Sequence, residues 1–395
     1  MGIGRWGTVA GALVVAGAAR AAEVTDMPPP LGGSAMLAYG GSHLTGGLQE
    51  QGIRIADRSF TRHDLDVRLE LSPIRGAALT LGIATTPAMQ WTFPGASPMI
   101  FDPIGGSGTY LTAADLAAAN DDQIGAPPAD TGATDATTPT TPTGGDDATA
   151  TADAPGFTAS GLNGVWIGAA IAPFSQSYSR YQATNWRLDF AFRTANKANS
   201  LWVSDGSKRG TAPGGTALRL RGAWSADLGV GEPYLVAQYH KENKFTGPTT
   251  AADGTPGPEL ELRPASNIGV TGGIELAGFD DPEGGNKVAF DLFGGCQYTT
   301  WQDVATGVYL PDTLASGAAI PVTTSEHISA HVGAGVNVHA AEYVRARVGM
   351  TGRYATPHRQ EHLYDVLTTW DSFEIGWYVT LGGVGGVPPK TPTVE

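Results

Sequence analysis

Between Ser325 and Ala340 the sequence reads SEHISAHVGAGVNVHA, setting His327, Ser329, His331, Asn337 and His339 at even spacings from one another. An imidazole two residues from a hydroxyl is the pairing that makes Ser a nucleophile, because the neighbouring base removes its proton. Several imidazoles together suggest a second chemistry, since neutral His is the commonest metal ligand. Both depend on what kind of element carries these residues. Ile328, Ala330, Val332, Ala334, Val336 and Val338 fall between them, and this period of two is that of a strand, whose successive side chains point to opposite faces. Along a strand His327 and His331 stand about 13 Å apart, too far to share one ion. No metal site is therefore expected from this segment, and no cofactor.

A smooth aliphatic face opposite a face of imidazole, hydroxyl and amide is how a strand reads when it separates lipid from a wet interior. The same alternation recurs along the chain. Leu65, Val67, Leu69 and Leu71 oppose Asp64, Asp66, Arg68 and Glu70; after the turn Pro73-Ile74-Arg75-Gly76 comes the stripe Leu79, Leu81, Ile83. Val165, Ile167, Ala169 and Ile171 form another stripe, and Trp186, Leu188, Phe190 and Phe192 oppose Arg187, Asp189 and Arg193. Leu218, Leu220 and Trp224 oppose Arg219 and Arg221; Leu235, Ala237 and Tyr239 oppose Gln238 and His240. Ile268, Val270, Ile274 and Leu276 oppose Glu275, and Val288, Phe290 and Leu292 oppose Asp291. Val344, Ala346, Val348 and Met350 oppose Arg345, Arg347 and Arg353; Phe373, Ile375, Trp377, Val379 and Leu381 oppose Glu374. With His327–Ala340 these are eleven clear segments, and a weaker one at Ala35–Leu44 makes twelve.

The connections between segments sort by length. From a periplasmic start, the inner ones are Ser72–Gly76, Phe174–Gln182, Gly229–Pro233, Asp280–Gly285 and His339–Glu342, all short. The outer ones are Thr45–Ser59, Pro94–Ser160, Asn196–Gly215, Thr246–Ala265, Ala305–Thr324 and Pro357–Leu367, all longer. Short turns inside and long loops outside are the habit of outer-membrane barrels. Aromatics such as Trp91, Tyr181, Phe279, Trp301 and Trp370 gather near the expected strand ends, where amphipathic rings are stable at headgroup depth.

The start of the chain, residues 1–21, reads as a secretory signal: Arg5, a small apolar stretch, then Ala19-Arg20-Ala21 as cleavage site. No later run is apolar for long enough to form a membrane helix. The single Cys296 excludes an internal disulfide framework, and a net charge of −14 argues against nucleic acid as partner. Residues 94–160 form one long outer loop, within which 120–156 is acidic and low in complexity, with Pro, Thr and Gly throughout, a composition expected to stay disordered. Thr112–Asn120 just before it suits a short helix capped by Thr112.

Alternation, loop parity and signal together make the chain resemble the bacterial outer-membrane β-barrel class over residues 22–381, with a periplasmic tail at 382–395. The resemblance implies an all-β, antiparallel up-and-down transmembrane barrel of about twelve strands, ten and fourteen being the alternatives. It further implies a Gram-negative outer-membrane location, contact with the lipid bilayer and lipopolysaccharide, and insertion by the barrel-assembly machinery. The tail GGVGGVPPKTPTVE departs from the terminal aromatic such barrels commonly carry.

The expected lumen lining is Arg68, Arg187, Asp189, Arg193, Arg219, Arg221, Glu275, Asp291, His327, His331, Asn337, His339, Arg345, Arg347, Arg353 and Glu374. Opposite charges on adjacent strands form pairs and networks, while rows of arginine attract anions. Three functions fit: a passive porin-like channel for small solutes, a structural or surface-display barrel with a blocked lumen, and a lipid hydrolase. For the last, His327, Ser329 and Asn337 resemble the His-x-Ser pair and orienting Asn of the outer-membrane phospholipase family. That family's pair faces lipid, however, whereas here Ile328 and Ala330 do. No catalytic residue is expected.

Overall fold

A computed structural model describes residues 25, 27–50, 53–92, 156–174, 184–195, 215–228, 231–247, 260–281, 285–306, 320–340, 343–361 and 367–386. In chain order the strands among them are β1 (Gly32–Glu50), β2 (Ile53–Ile74), β3 (Ala77–Thr92), β4 (Gly156–Phe174), β5 (Thr184–Arg193), β6 (Ala217–Ala226), β7 (Gly231–Glu242) and β8 (Phe245–Gly247). They continue with β9 (Leu260–Leu262), β10 (Asn267–Asp281), β11 (Asn286–Thr299), β12 (Gln302–Thr306), β13 (Ile320–Thr324), β14 (His327–Ala340), β15 (Val344–Glu361) and β16 (Leu367–Gly385).

Twelve of these strands close a ring. β1 to β7 pair in sequence, β7 pairs with β10, then β11, β14, β15 and β16 follow, and β16 returns to β1, every pairing antiparallel. Closure leaves no unpaired edge, which a sheet in lipid requires because no water is there to satisfy free N–H and C=O groups. The remaining four strands decorate connections at one end: β8 pairs with β9, and β12 with β13, which touches the end of β15 through Thr323 and Thr324. The opposite, inner end is turned tightly. Ile74 pairs with Ala77 across Arg75-Gly76, and Gly76 sits at φ 76°, in the left-handed region that glycine enters without a Cβ clash.

The structure extends several sequence expectations and corrects others. The weakest segment, Ala35–Leu44, belongs to a strand of 19 residues. Its apolar pattern is diluted by Gly40 and Gly41, yet the Trp377 ring lies over Gly41, where a Cβ would come within 2.7 Å of the indole nitrogen. The outer connection expected over Thr45–Ser59 is mostly ladder, since pairing runs on to Glu50 opposite Ile53. Pro357–Leu367 likewise shrinks, with Glu361 opposite Leu367. So the long-loop rule fails at these two places. A membrane crossing takes about 9–11 residues, and β2 has 22; above the lipid the backbone keeps pairing while the apolar alternation stops. The long connection ends at Gly156 rather than Ser160, and β16 continues to Gly385, four residues into the expected tail. The expected signal at 1–21, the helix at Thr112–Asn120 and most of the acidic stretch lie outside the described residues.

Candidate functional site

On the inner face, the first cluster joins strands that are not neighbours. Arg68 and Glu70 share a face of β2, and Arg187 and Asp189 share a face of β5, because each pair is two residues apart. Arg68 Nη2 lies 2.5 Å from Glu70 Oε1 and 3.0 Å from Asp189 Oδ1. Arg187 Nη2 donates to the same two oxygens at 2.7 and 2.8 Å. Arg221, directly opposite Asp189 in the β5–β6 register, donates from Nη1 to Asp189 Oδ2 at 2.8 Å. Between β2 and β5 several inward positions of β3 and β4 are small, including Ala78, Gly82, Gly168 and Ala170. Those small residues leave the space through which the long arginines reach across two strands. Nearby, Arg219 stacks on Trp166 of β4, its guanidinium carbon 4.2 Å from the ring centre.

The second cluster fills the opposite wall. Asp291, with no exposed surface, pairs with Arg347 and accepts from the Tyr234 hydroxyl at 3.1 Å. Glu275, 1 % exposed, accepts from Asn337 Nδ2 at 2.7 Å and pairs with Lys287 at 2.6 Å. Arg347 also sits 5.3 Å over the Tyr378 ring and 5.9 Å from that of Phe293. These rings lie on glycines: Tyr378 covers Gly335 and Gly349, Phe293 covers Gly333, and Tyr234 covers Gly273. Sequence reading missed Tyr234 and Phe293, both buried inward. Strand parity was their signal, with an aromatic set opposite a glycine on the neighbouring strand.

Toward the end with the long connections, Arg193 holds Glu242 with both Nη atoms at 2.9 and 2.5 Å, and His240 Nε2 stands 2.7 Å from the same carboxylate. The histidines of β14 part company. His331 meets Thr271 Oγ1 at 3.0 Å, His327 stacks on His358 with centroids 4.2 Å apart, and His339 lies half-buried at the inner end. Ser329, fully buried, accepts from Arg353 at 2.9 Å, and Arg353 lies 3.9 Å from Glu374. At the inner mouth Thr25, 1 % exposed, bonds Ser225 at 3.1 Å. Met27 and Pro28 close a small cavity there with Arg68, Arg187 and Arg345.

The outer surface has the opposite chemistry. On β5, Leu188 and Phe190 are 50 % exposed while Arg187 and Arg193, on the opposite face of the strand, are almost wholly buried. Exposed large apolar residues recur on every one of the twelve ring strands, as at Leu69, Leu81, Ile167, Leu292, Val348 and Ile375. Charge inside and hydrocarbon outside is stable only where the surroundings are lipid. The chain is an outer-membrane β-barrel. No family model matches the sequence, and the comparison with curated proteins found no match. Among solved structures the barrel is similar to an outer membrane channel from Pseudomonas putida F1 at 10 % identity, covering 90 % of this chain and 97 % of that one, TM-score 0.44. It is also similar to the translocator domain of the autotransporter NalP from Neisseria meningitidis, at 9 % identity, 96 % and 98 % coverage and TM-score 0.41. A Pseudomonas aeruginosa FadL homologue is a third, at 9 % identity, 93 % and 97 % coverage and TM-score 0.39. The outer-membrane assignment rests on the closed ladder and its inverted polarity, since an even-stranded closed antiparallel barrel with an apolar outer band and a polar interior is the architecture of bacterial outer-membrane proteins.

Proposed function

We propose that this outer-membrane barrel is a passive channel for small polar solutes. The observation that carries the reading is an uneven lumen. The wall of β10, β11, β14 and β15 is packed with aromatic rings and buried ion pairs. The wall of β2 to β7 instead borders a cavity of about 100 Å³ lined by charges of both signs. A solute path needs open space bordered by charged side chains, and this is the side that offers it. In this reading the apolar belt meets bilayer lipid and lipopolysaccharide, and the barrel-assembly machinery inserts the chain.

A second reading, a structural barrel with a closed lumen, is favoured by the near-complete burial of Asp291, Glu275 and Gln297. Lipid hydrolysis has less support, because the Ser329 hydroxyl is buried on the inner face beside Arg353, away from lipid. Reconstitution into planar bilayers separates the first two. Discrete conductance steps are expected, small because twelve strands enclose a narrow lumen; a silent bilayer across salt concentrations and voltages leaves the closed-lumen reading standing.

A further inference from the structure

Just before β1 the chain reverses. Pro29-Pro30-Leu31-Gly32 makes a β-turn, closed by the Gly32 N–H donating to the Pro29 carbonyl at 2.9 Å. Proline at the first central position and a positive φ at the second is the type II pattern, whose second place suits glycine or asparagine. Here that place holds Leu31 at φ 58°, and among the described residues no other side chain larger than that of glycine stands at a positive φ. Leu31 is 88 % exposed, so no packing offsets the strain. What the turn achieves is direction: the residues before it run back across the inner mouth.

The far end of this segment is buried. Thr25 bonds Ser225 of β6 at 3.1 Å, and both are almost without exposed surface. In the ring of twelve, β6 stands five places from β1, one short of diametrically opposite. On the way, Met27 and Pro28 lie against Arg68, Glu70, Arg187 and Arg345, directly beneath the first charge cluster. Pro28, Pro29 and Pro30 carry no N–H to leave unpaired in the lumen. A proline run is also extended and stiff, at about 3.1 Å per residue. It therefore spans a gap without ladder partners.

The two ends of this strap are fastened unequally. From Gly33 onward β1 is held by ladders on both sides, whereas among the described residues the bond of Thr25 to Ser225 is the one hydrogen bond that ties the far end to the wall. Ser225 keeps partners when that bond is broken, since it donates to Glu232 at 2.7 Å and accepts from Asn185 at 3.3 Å. Release thus costs the wall little and relieves the strain at Leu31.

We infer that Thr25 and Met27–Leu31 form a reversible gate, a strap that closes the inner mouth and swings aside about the Leu31 turn. Its part in transport rests on the channel reading above, whereas its place across the mouth does not.

The test keeps the full chain, with Cys296→Ala. Thr25→Cys with Ser225→Cys sets a thiol on each side of the far fastening, and mild oxidation of the folded barrel is expected to join them. In planar bilayers the oxidised protein is expected to open at least tenfold less often than the same protein after reductant. Leu31→Gly removes the strain of the closed turn and Leu31→Val increases it, and the exposed side chain leaves the barrel wall untouched by either. Opening is expected to fall in the first and rise in the second, each by about threefold or more. Different migration of boiled and unboiled samples shows that a variant is folded, and should the cysteine pair not fold, the Leu31 variants decide. No disulfide in a folded barrel overturns the strap. A disulfide with equal conductance oxidised and reduced, or Leu31 variants that open as the natural chain does, overturns the gate and leaves the channel. A disulfide in a barrel silent in both states removes the channel reading and the gate with it, and leaves a fixed seal.

Discussion

Asp291 shows what a charge inside this barrel requires. With no exposed surface, it keeps its ionised form company with Arg347 and the Tyr234 hydroxyl, and Arg347 is itself 5 % exposed. Removing one member of such a pair leaves the other charged, desolvated and alone, which costs about 3–5 kcal/mol. Replacing both by apolar groups of similar volume is often neutral. Asp291→Ala is therefore expected to lower unfolding free energy in lipid vesicles by that amount, while the double variant Asp291→Leu with Arg347→Met recovers most of it. Urea titration followed by tryptophan fluorescence checks this. Equal losses in single and double variants would mean that the pair contributes through its packing on Tyr378 and Phe293 instead. The residues of this network were legible in the sequence as inward charges, because parity alone sets their face. Partners were not legible in either cluster: Asp291 and Arg347 meet across β14, and Glu70 and Arg187 across β3 and β4, where Ala78, Gly168 and Ala170 leave room for the reach.

At the scale of the element, β14 carries the clearest message in the chain. Val332 is 65 % exposed and Ile328 53 %, while Ser329, His331 and Asn337 are buried. An arginine on the lipid face costs about 2–4 kcal/mol at the bilayer midplane and little near the interfaces. Val332→Arg is therefore expected to destabilise the barrel by about that amount, and Ala340→Arg, at the inner end of the strand, by at most about 1 kcal/mol. Refolding yield into vesicles and urea midpoints measure both. Equal costs at the two positions would mean that β14 does not cross the hydrocarbon with Val332 inside it. The same logic explains what the sequence concealed about β1, β2 and β15. Period-two hydrophobicity records contact with lipid, so it stops at the headgroups, whereas the ladder continues above them by backbone hydrogen bonds that any residue can make. Bulges were equally hidden. The β2–β3 register slips between His63 and Leu65 and again between Leu71 and Ile74, and a slip of register leaves no compositional trace.

For the whole molecule the decisive feature is closure, and it depends on one pair of strands that meet from opposite ends of the chain. The number of strands was legible, since each crossing repeats one pattern, and so was the order of neighbours, since short inner turns force antiparallel hairpins. The pairing of β1 with β16 was inferred only from the need to leave no edge, because nothing in the residues of either strand names the other. Here it runs without a register shift from Gly33 opposite Gly385 to Glu50 opposite Thr368. Ala38 faces Thr380 across this seam on the half-buried and buried inner side. Directly opposed residues of antiparallel strands have Cα atoms about 4.5–5.5 Å apart, within the range a disulfide spans. With Cys296→Ala removing the one natural thiol, Ala38→Cys and Thr380→Cys are expected to oxidise spontaneously in the folded barrel. The product would be a covalent ring that, boiled without reductant, migrates faster than its reduced form because its denatured coil is more compact. Moving one partner by a single residue, to Val379→Cys, turns its side chain to the lipid face and is expected to abolish the bond. Free thiols in a folded Ala38→Cys, Thr380→Cys barrel would mean that the seam is closed in another register, and with it every height at which the lumen residues of β1, β2, β15 and β16 meet.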